Sequence, residues 1–167
     1  MNDRLKAIGG SIVFLFVAPG IVAGAIPGWI TGWQVGPPLL GLEPLRWIGG
    51  VLLALGGVLL LETFSRFALQ GLGTPAPIAP TKTLVVTGSY RFVRNPMYVA
   101  VVSLILGQGL WFGSVAALGY GFVVWLTVHL FVLAYEEPTL SGTYGDQYDR
   151  YRANVRRWIP RLTPWRG

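Results

Sequence analysis

The chain has 167 residues, 53% of them hydrophobic and only 12% charged, with 23 Gly, 12 Pro, no Cys and a mean hydropathy of +0.55. Soluble domains carry about a quarter charged residues, so most of this surface must face a solvent other than water, and the length leaves room for a few membrane spans but no added soluble enzyme domain. The absence of Cys excludes disulfides and thiolate nucleophiles, a lone His129 argues against a catalytic zinc centre, and the net charge of +6 lies beside apolar runs rather than in a nucleic-acid-binding pattern.

Four apolar stretches are read as helices: Ile8 to Ile30, Leu45 to Phe67, Pro96 to Phe112 and Ser114 to Tyr135. Continuous apolar runs without alternation fit spanning helices and not barrel strands. The first run contains a cleavage-like Ala23-Gly24-Ala25 but continues to Ile30, longer than a signal core of about 7–15 residues, so an uncleaved span kinked by Pro19 and Pro27 is expected. In the second, Glu62 and Arg66 have the i,i+4 spacing of an ion pair. The third is short, and Gly113-Ser114 turns it into the fourth as a tight hairpin. The fold class expected is an all-α integral membrane bundle of four or five transmembrane helices with a C-terminal amphipathic interfacial helix. It forms one domain, 1–167: two spans in 1–67, a loop in 68–95, a hairpin in 96–135 and a C-terminal segment in 136–167.

In the four-span arrangement twelve of the 13 basic residues lie on one side, and Arg46 alone lies on the other. This bias places both termini and the 68–95 loop in the cytoplasm, at a plasma or inner membrane. Trp29, Trp33, Trp47, Trp111 and Phe112 gather at the opposite span ends as an interfacial belt.

Polar residues concentrate on the expected cytoplasmic side. Gly and Pro in Gly71 to Pro80 forbid a helix there. The run Lys82 to Tyr98 then carries three cations, two tyrosines and no acid. Asn95 is expected to cap a helix starting at Pro96, beside Arg91 and Arg94, an arrangement that favours an anionic ligand group; the same two arginines read equally well as snorkelling anchors. Glu136 and Glu137 end an apolar helix, so at least one is expected to face a cavity. His129, seven residues before Glu136, falls on nearly the same helical face. Tyr144, Tyr148, Tyr151 and Val155 recur at helical spacing, an aromatic stripe for lying on the membrane or capping the bundle, with arginines reaching anionic lipid headgroups.

The sequence Gly88-Ser-Tyr-Arg-Phe-Val-Arg-Asn-Pro-Met-Tyr98, followed by Glu136-Glu137-Pro138 and by Tyr144-Gly-Asp-Gln-Tyr-Asp-Arg-Tyr151, resembles the isoprenylcysteine carboxyl methyltransferase family, itself similar to membrane phospholipid methyltransferases. The resemblance covers about residues 71 to 161. It implies an integral-membrane enzyme that binds S-adenosylmethionine without a Rossmann domain, between the cytoplasmic loop and the last spans. Lys82, Thr83, Leu84 and Val85 would border the cofactor, with Tyr90 beside them. Asn95, Pro96, Met97 and Tyr98 would follow, and Glu136 would reach the cofactor from across the pocket. Members often have His where this chain has Asn95, and the eukaryotic carboxyl methyltransferases place an arginine where this chain has Val132. The cofactor half of the pattern is therefore matched better than the substrate half.

The chemistry implied is methyl transfer from a sulfonium to a small lipophilic or lipid-linked acceptor entering from the bilayer. Glu137 and His129 are the candidate bases for an amine acceptor. Two alternatives remain open: an NADPH-dependent reductase of the sterol-reductase type, and a non-catalytic scaffold whose arginine-rich tail binds anionic lipid.

Overall fold

The computed structural model describes residues 16–70 and 84–167, and all of their regular structure is helical. Helix α1 is Phe16–Thr31, α2 Glu43–Gln70, α3 Pro96–Phe112, α4 Val115–Phe131, α5 Glu137–Tyr144 and α6 Asp146–Asn154. Two apolar helices reach spanning length, Glu43–Arg66 and Val115–Tyr144, whereas Phe16–Thr31 and Pro96–Phe112 are shorter. At 1.5 Å per residue, α3 covers roughly 25 Å of an approximately 30 Å hydrocarbon core. Among the described residues, two apolar helices thus have full spanning length and two are shorter; the expected third span is short, as read from the sequence, and residues 8–15 of the expected first span lie outside the described residues. Helix α2 also runs a turn beyond the expected boundary at Phe67.

The closest packing joins α2 to α3, and small residues explain it. A Cβ on Gly49 would lie 2.8 Å from the Gly107 carbonyl oxygen, and one on Gly107 would lie 2.9 Å from the Gly49 oxygen. One turn-pair further, a Cβ on Gly56 would sit 3.1 Å from the Ala100 oxygen. Small residues seven apart on both helices let the backbones touch, which is how helices associate where lipid removes the hydrophobic driving force. Ala23, Leu60, Phe64, Ala100, Val101 and Ile105 form the buried core beside this seam. The outward faces stay apolar, with Leu55, Val58, Leu61, Phe122 and Leu130 all exposed.

Proline is accommodated by π-turns rather than by helix breaks. The π-turn Ile21–Ala25 precedes Pro27, and Val132–Glu136 precedes Pro138. Proline inside a helix lacks a donor and crowds the carbonyl four residues back, and the wider turn relieves that crowding. Beside Pro27, which supplies no N–H, two carbonyls of α1 accept from side chains of other helices: Gln108 Nε2 donates to Ala23 O at 2.6 Å, and Tyr120 Oη donates to Val22 O at 3.0 Å. The second π-turn carries α4 straight into α5, so the helix expected to end at Tyr135 continues to Tyr144.

The α3–α4 hairpin forms as expected. Gly113 adopts φ +71°, with Pro37 O where a Cβ would stand, and Ser114 caps α4 by accepting from Ala117 N at 3.2 Å. At this end of the bundle Trp33 meets Phe112 edge-on at 6.0 Å and Trp47 meets Trp111 at 6.2 Å, gathering most of the anticipated aromatic belt. The opposite end is closed by α6 and the chain after it. The aromatic stripe does not lie out on a membrane: Tyr148, Tyr151 and Val155 are buried against Leu84, Val86, Leu140 and Trp165. The last residues run back along 91–94, with Arg94 N donating to Arg156 O at 2.9 Å, Arg161 N to Phe92 O at 2.8 Å and Trp165 N to Arg91 O at 2.9 Å.

Candidate active site

A cavity opens at this closed end, between the 84–95 segment, the first turn of α3, the second π-turn and helices α5 and α6. The segment is placed by a clamp onto α2. Glu62 pairs with Arg66, as its i,i+4 spacing predicts, and accepts a hydrogen bond from Ser89 Oγ at 2.6 Å. Gly88, at φ +56°, lets the Arg66 guanidinium lie where a Cβ would stand. Ser89 belongs to the 3-10 turn Gly88–Arg91, whose next residue, Tyr90, faces the cavity; Tyr151 Oη holds that turn from the far wall by donating to Tyr90 O at 2.7 Å.

Of the residues named from sequence, Leu84, Val85, Tyr90 and Asn95 line the cavity, as do Met97, Tyr98 and Glu136. Tyr98 and Glu136 meet directly, the phenol donating to the carboxylate at 3.1 Å. Pro96 is buried as the first residue of α3 but does not line the wall. Lys82 and Thr83 lie outside the described residues. Asn95 does not cap α3 through its side chain; its Nδ2 donates instead to Arg157 O at 3.3 Å, tying the helix start to the returning C-terminal chain.

The two candidate bases stand elsewhere. Glu137 receives Arg157 Nε at 2.6 Å and Arg157 Nη2 at 2.9 Å, with Arg94 Nη1 at 3.1 Å. His129 Nδ1 accepts from Trp158 Nε1 at 3.0 Å, and its ring stacks on Trp125 at 5.3 Å. Neither lines the cavity.

Sequence reading missed Leu140, Tyr144, Tyr148 and Tyr151 as cavity residues, whereas Arg94, read beside an anion-favouring helix start, does line the wall. The tyrosine periodicity was the available signal, once read as an inward face. Burial pushes the Tyr90 phenol far above the ordinary tyrosine range, with Glu136 adding to the effect. Burial also raises Tyr151, partly opposed by Arg94, so these walls present neutral rings. Arg94 Nη1 touches Tyr148 Oη at 3.3 Å as well as Glu137, and its Nε is buried without a partner among the described residues. The cavity therefore combines tyrosine rings, one carboxylate and one guanidinium. That set suits a ligand carrying both a cation and an anion.

Tyr98 is also one wall of a second, apolar groove on the lipid-facing side of α3 and α4, lined by Val102, Leu106, Phe122, Trp125 and Trp158.

Apolar-faced helices, two of them long enough to cross a membrane, with a tyrosine-lined cavity at one end of the bundle, are the architecture of a membrane protein with a candidate site at the end of its helices. The family described as phospholipid methyltransferase matches residues 45–147, and the chain belongs to it. An uncharacterized protein of Haemophilus influenzae is 39% identical over 64 residues, covering 38% of this chain and all of that protein. The protein-S-isoprenylcysteine O-methyltransferase of Schizosaccharomyces pombe is 35% identical over 78 residues, 46% of this chain and 33% of that enzyme. The matched family segment includes α2, the 84–95 segment, α3, α4 and α5, and so nearly every wall of the cavity.

Proposed function

We propose that the chain is a multi-pass membrane methyltransferase that binds S-adenosylmethionine in the tyrosine-lined cavity and methylates a small lipophilic or lipid-linked acceptor. The observation that carries the reading is the convergence on one cavity of all three motifs, with Tyr98 bonded to Glu136 across it and Arg94 on its wall. The ring faces of Tyr90, Tyr98 and Tyr148 suit a cation, Arg94 suits the ligand's carboxylate, and Glu136 suits its ammonium or hydroxyl groups. When bound, the cofactor supplies a methyl group on a sulfonium, ready for direct transfer to a nucleophile. Leu84, Val85 and Met97 supply apolar wall, and exclusion of water strengthens each of these contacts.

Residues of this chain then have three tasks: hold the sulfonium end, keep water out, and admit an acceptor along the apolar groove that ends at Tyr98. Proximity alone is worth about 7–11 kcal/mol when two reactants are held in line. Glu136, on the cavity wall, is better placed than Glu137 to receive a proton from an amine acceptor. A carboxylate acceptor needs no base. The basic-residue bias supports cytoplasmic termini and a cytoplasmic cofactor site.

Calorimetric titration of the detergent-purified protein with S-adenosylhomocysteine tests the reading, with NADPH titrated in parallel. Saturable binding that weakens in Glu136→Gln is the expected result. NADPH binding without S-adenosylhomocysteine binding would transfer the chain to the reductase reading, and binding of neither by folded protein would refute both.

A further inference from the structure

Beside the cavity, and sharing only Arg94 with it, lies an open basin between the end of α6 and the returning C-terminal chain, lined by Arg94, Arg152, Arg156, Arg157 and Arg161. Carboxylates already engage three of the five guanidiniums. Glu137 takes Arg94 and Arg157, and Asp149 takes Arg152 at 3.0 Å. Arg161 bonds only a backbone carbonyl, that of Asn154, and the Arg156 side chain is exposed with no carboxylate within ion-pair distance among the described residues. Two charges with forked donors are thus left over, in a basin whose lining contains no acid.

Its position adds a second requirement. Trp158, two residues from Arg156, is fixed against Trp125 and His129 on α4, one of the two helices of spanning length. The neighbouring Ile159 is 62% exposed and Leu162 is 101% exposed, while α4 turns Leu126 and Leu130 outward and the π-turn after it turns Leu133 outward. A ligand satisfying both halves has an anionic head for the guanidinium pair and an apolar body for Ile159, Leu162 and the α4 face. We propose that this basin is a docking site for the phosphate of an anionic membrane phospholipid, separate from the methyl-transfer cavity. A free anion meets only the first requirement, and a zwitterionic lipid brings its own cation to a site that already has cations in excess.

The test uses full-length protein in detergent, titrated with phosphatidylglycerol, phosphatidylcholine or inorganic phosphate, reading the thermal unfolding midpoint and the lipid retained in native mass spectrometry. Phosphatidylglycerol is expected to raise the midpoint saturably and to be retained. At about fivefold per arginine near a lipid surface, Arg156→Gln should weaken it about fivefold and Arg156→Gln with Arg161→Gln about 25-fold. Arg150→Gln, exposed on another part of α6, should change nothing. Each variant must unfold at the wild-type midpoint without lipid, which separates loss of the site from loss of the fold; a variant that does not is replaced by the corresponding lysine substitution, which keeps the charge and should restore binding. Equal stabilisation by phosphatidylcholine, equal stabilisation by inorganic phosphate, or an undiminished response in the double variant would each overturn the proposal. None of these readouts involves methyl transfer or its cofactor.

Discussion

Glu137→Gln separates a structural carboxylate from a catalytic one. In the structure Glu137 is 14% exposed and holds Arg157, 28% exposed, through two contacts and Arg94, 11% exposed, through one. Neutralising it leaves two guanidiniums facing an amide that matches neither. Breaking a buried pair costs about 3–5 kcal/mol, and the partial exposure of Arg157 brings the expectation to about 2–3 kcal/mol. The loss should spread, because Arg157 O holds Asn95 and Arg156 O holds the Arg94 backbone. Reversible unfolding in mixed micelles should therefore show Glu137→Gln as clearly destabilised. Arg157→Gln should be milder, since Glu137 keeps Arg94, and limited proteolysis of Glu137→Gln should reveal early cleavage after Asn154. A Glu137→Gln protein with wild-type stability and resistance to proteolysis, but without transferase activity, would refute this reasoning and restore Glu137 as a base.

Four further outcomes follow from the same geometry. Tyr98→Phe removes the bond to Glu136 and should weaken S-adenosylhomocysteine binding about tenfold, as a charge-assisted hydrogen bond of about 1.5 kcal/mol requires, which calorimetry reads directly. Ser89→Ala releases the turn bearing Tyr90 from Glu62 and should raise the apparent KM for the methyl donor more than it lowers kcat. Gly49→Ala forces a Cβ onto the α3 backbone and should cost about 1–3 kcal/mol, whereas Gly57→Ala, with nothing within 4 Å, should be neutral or stabilising by up to about 1 kcal/mol in the same unfolding assay. His129→Ala should lower the unfolding midpoint by freeing Trp158, yet leave S-adenosylhomocysteine affinity within about twofold, since the ring lies off the cavity.

Much of this arrangement was legible in the residues. The Glu62–Arg66 pair, the Gly113-Ser114 turn and the helix beginning at Pro96 follow from spacing and turn chemistry alone. That Tyr90, Asn95, Tyr98 and Glu136 share one cavity is what the resemblance carried by the three motifs implied. What escaped were effects without a local signature. Each π-turn inserts a residue, so side chains beyond it rotate by about 100° relative to an unbroken α-helix, and the face shared by His129 and Glu136 on 3.6-residue periodicity disappears. Asn95 has the composition of a cap, but Arg157 O, 62 residues away, competes for its amide. The tyrosine stripe fits a membrane surface or a protein interior equally well until the returning chain from Trp158 to Trp165 is placed over it.

Tyr98 stands where the polar cavity and the apolar groove share a wall. Its phenol bonds Glu136 in the first, and the same residue lines the second, so one residue partitions two phases. On the methyltransferase reading, an acceptor is gauged by where along its length hydrocarbon gives way to a polar group, because that junction must come to rest at this ring. Selection of this kind tolerates wide variation in the tail and in the headgroup, and discriminates sharply against a molecule whose polarity changes in the wrong place.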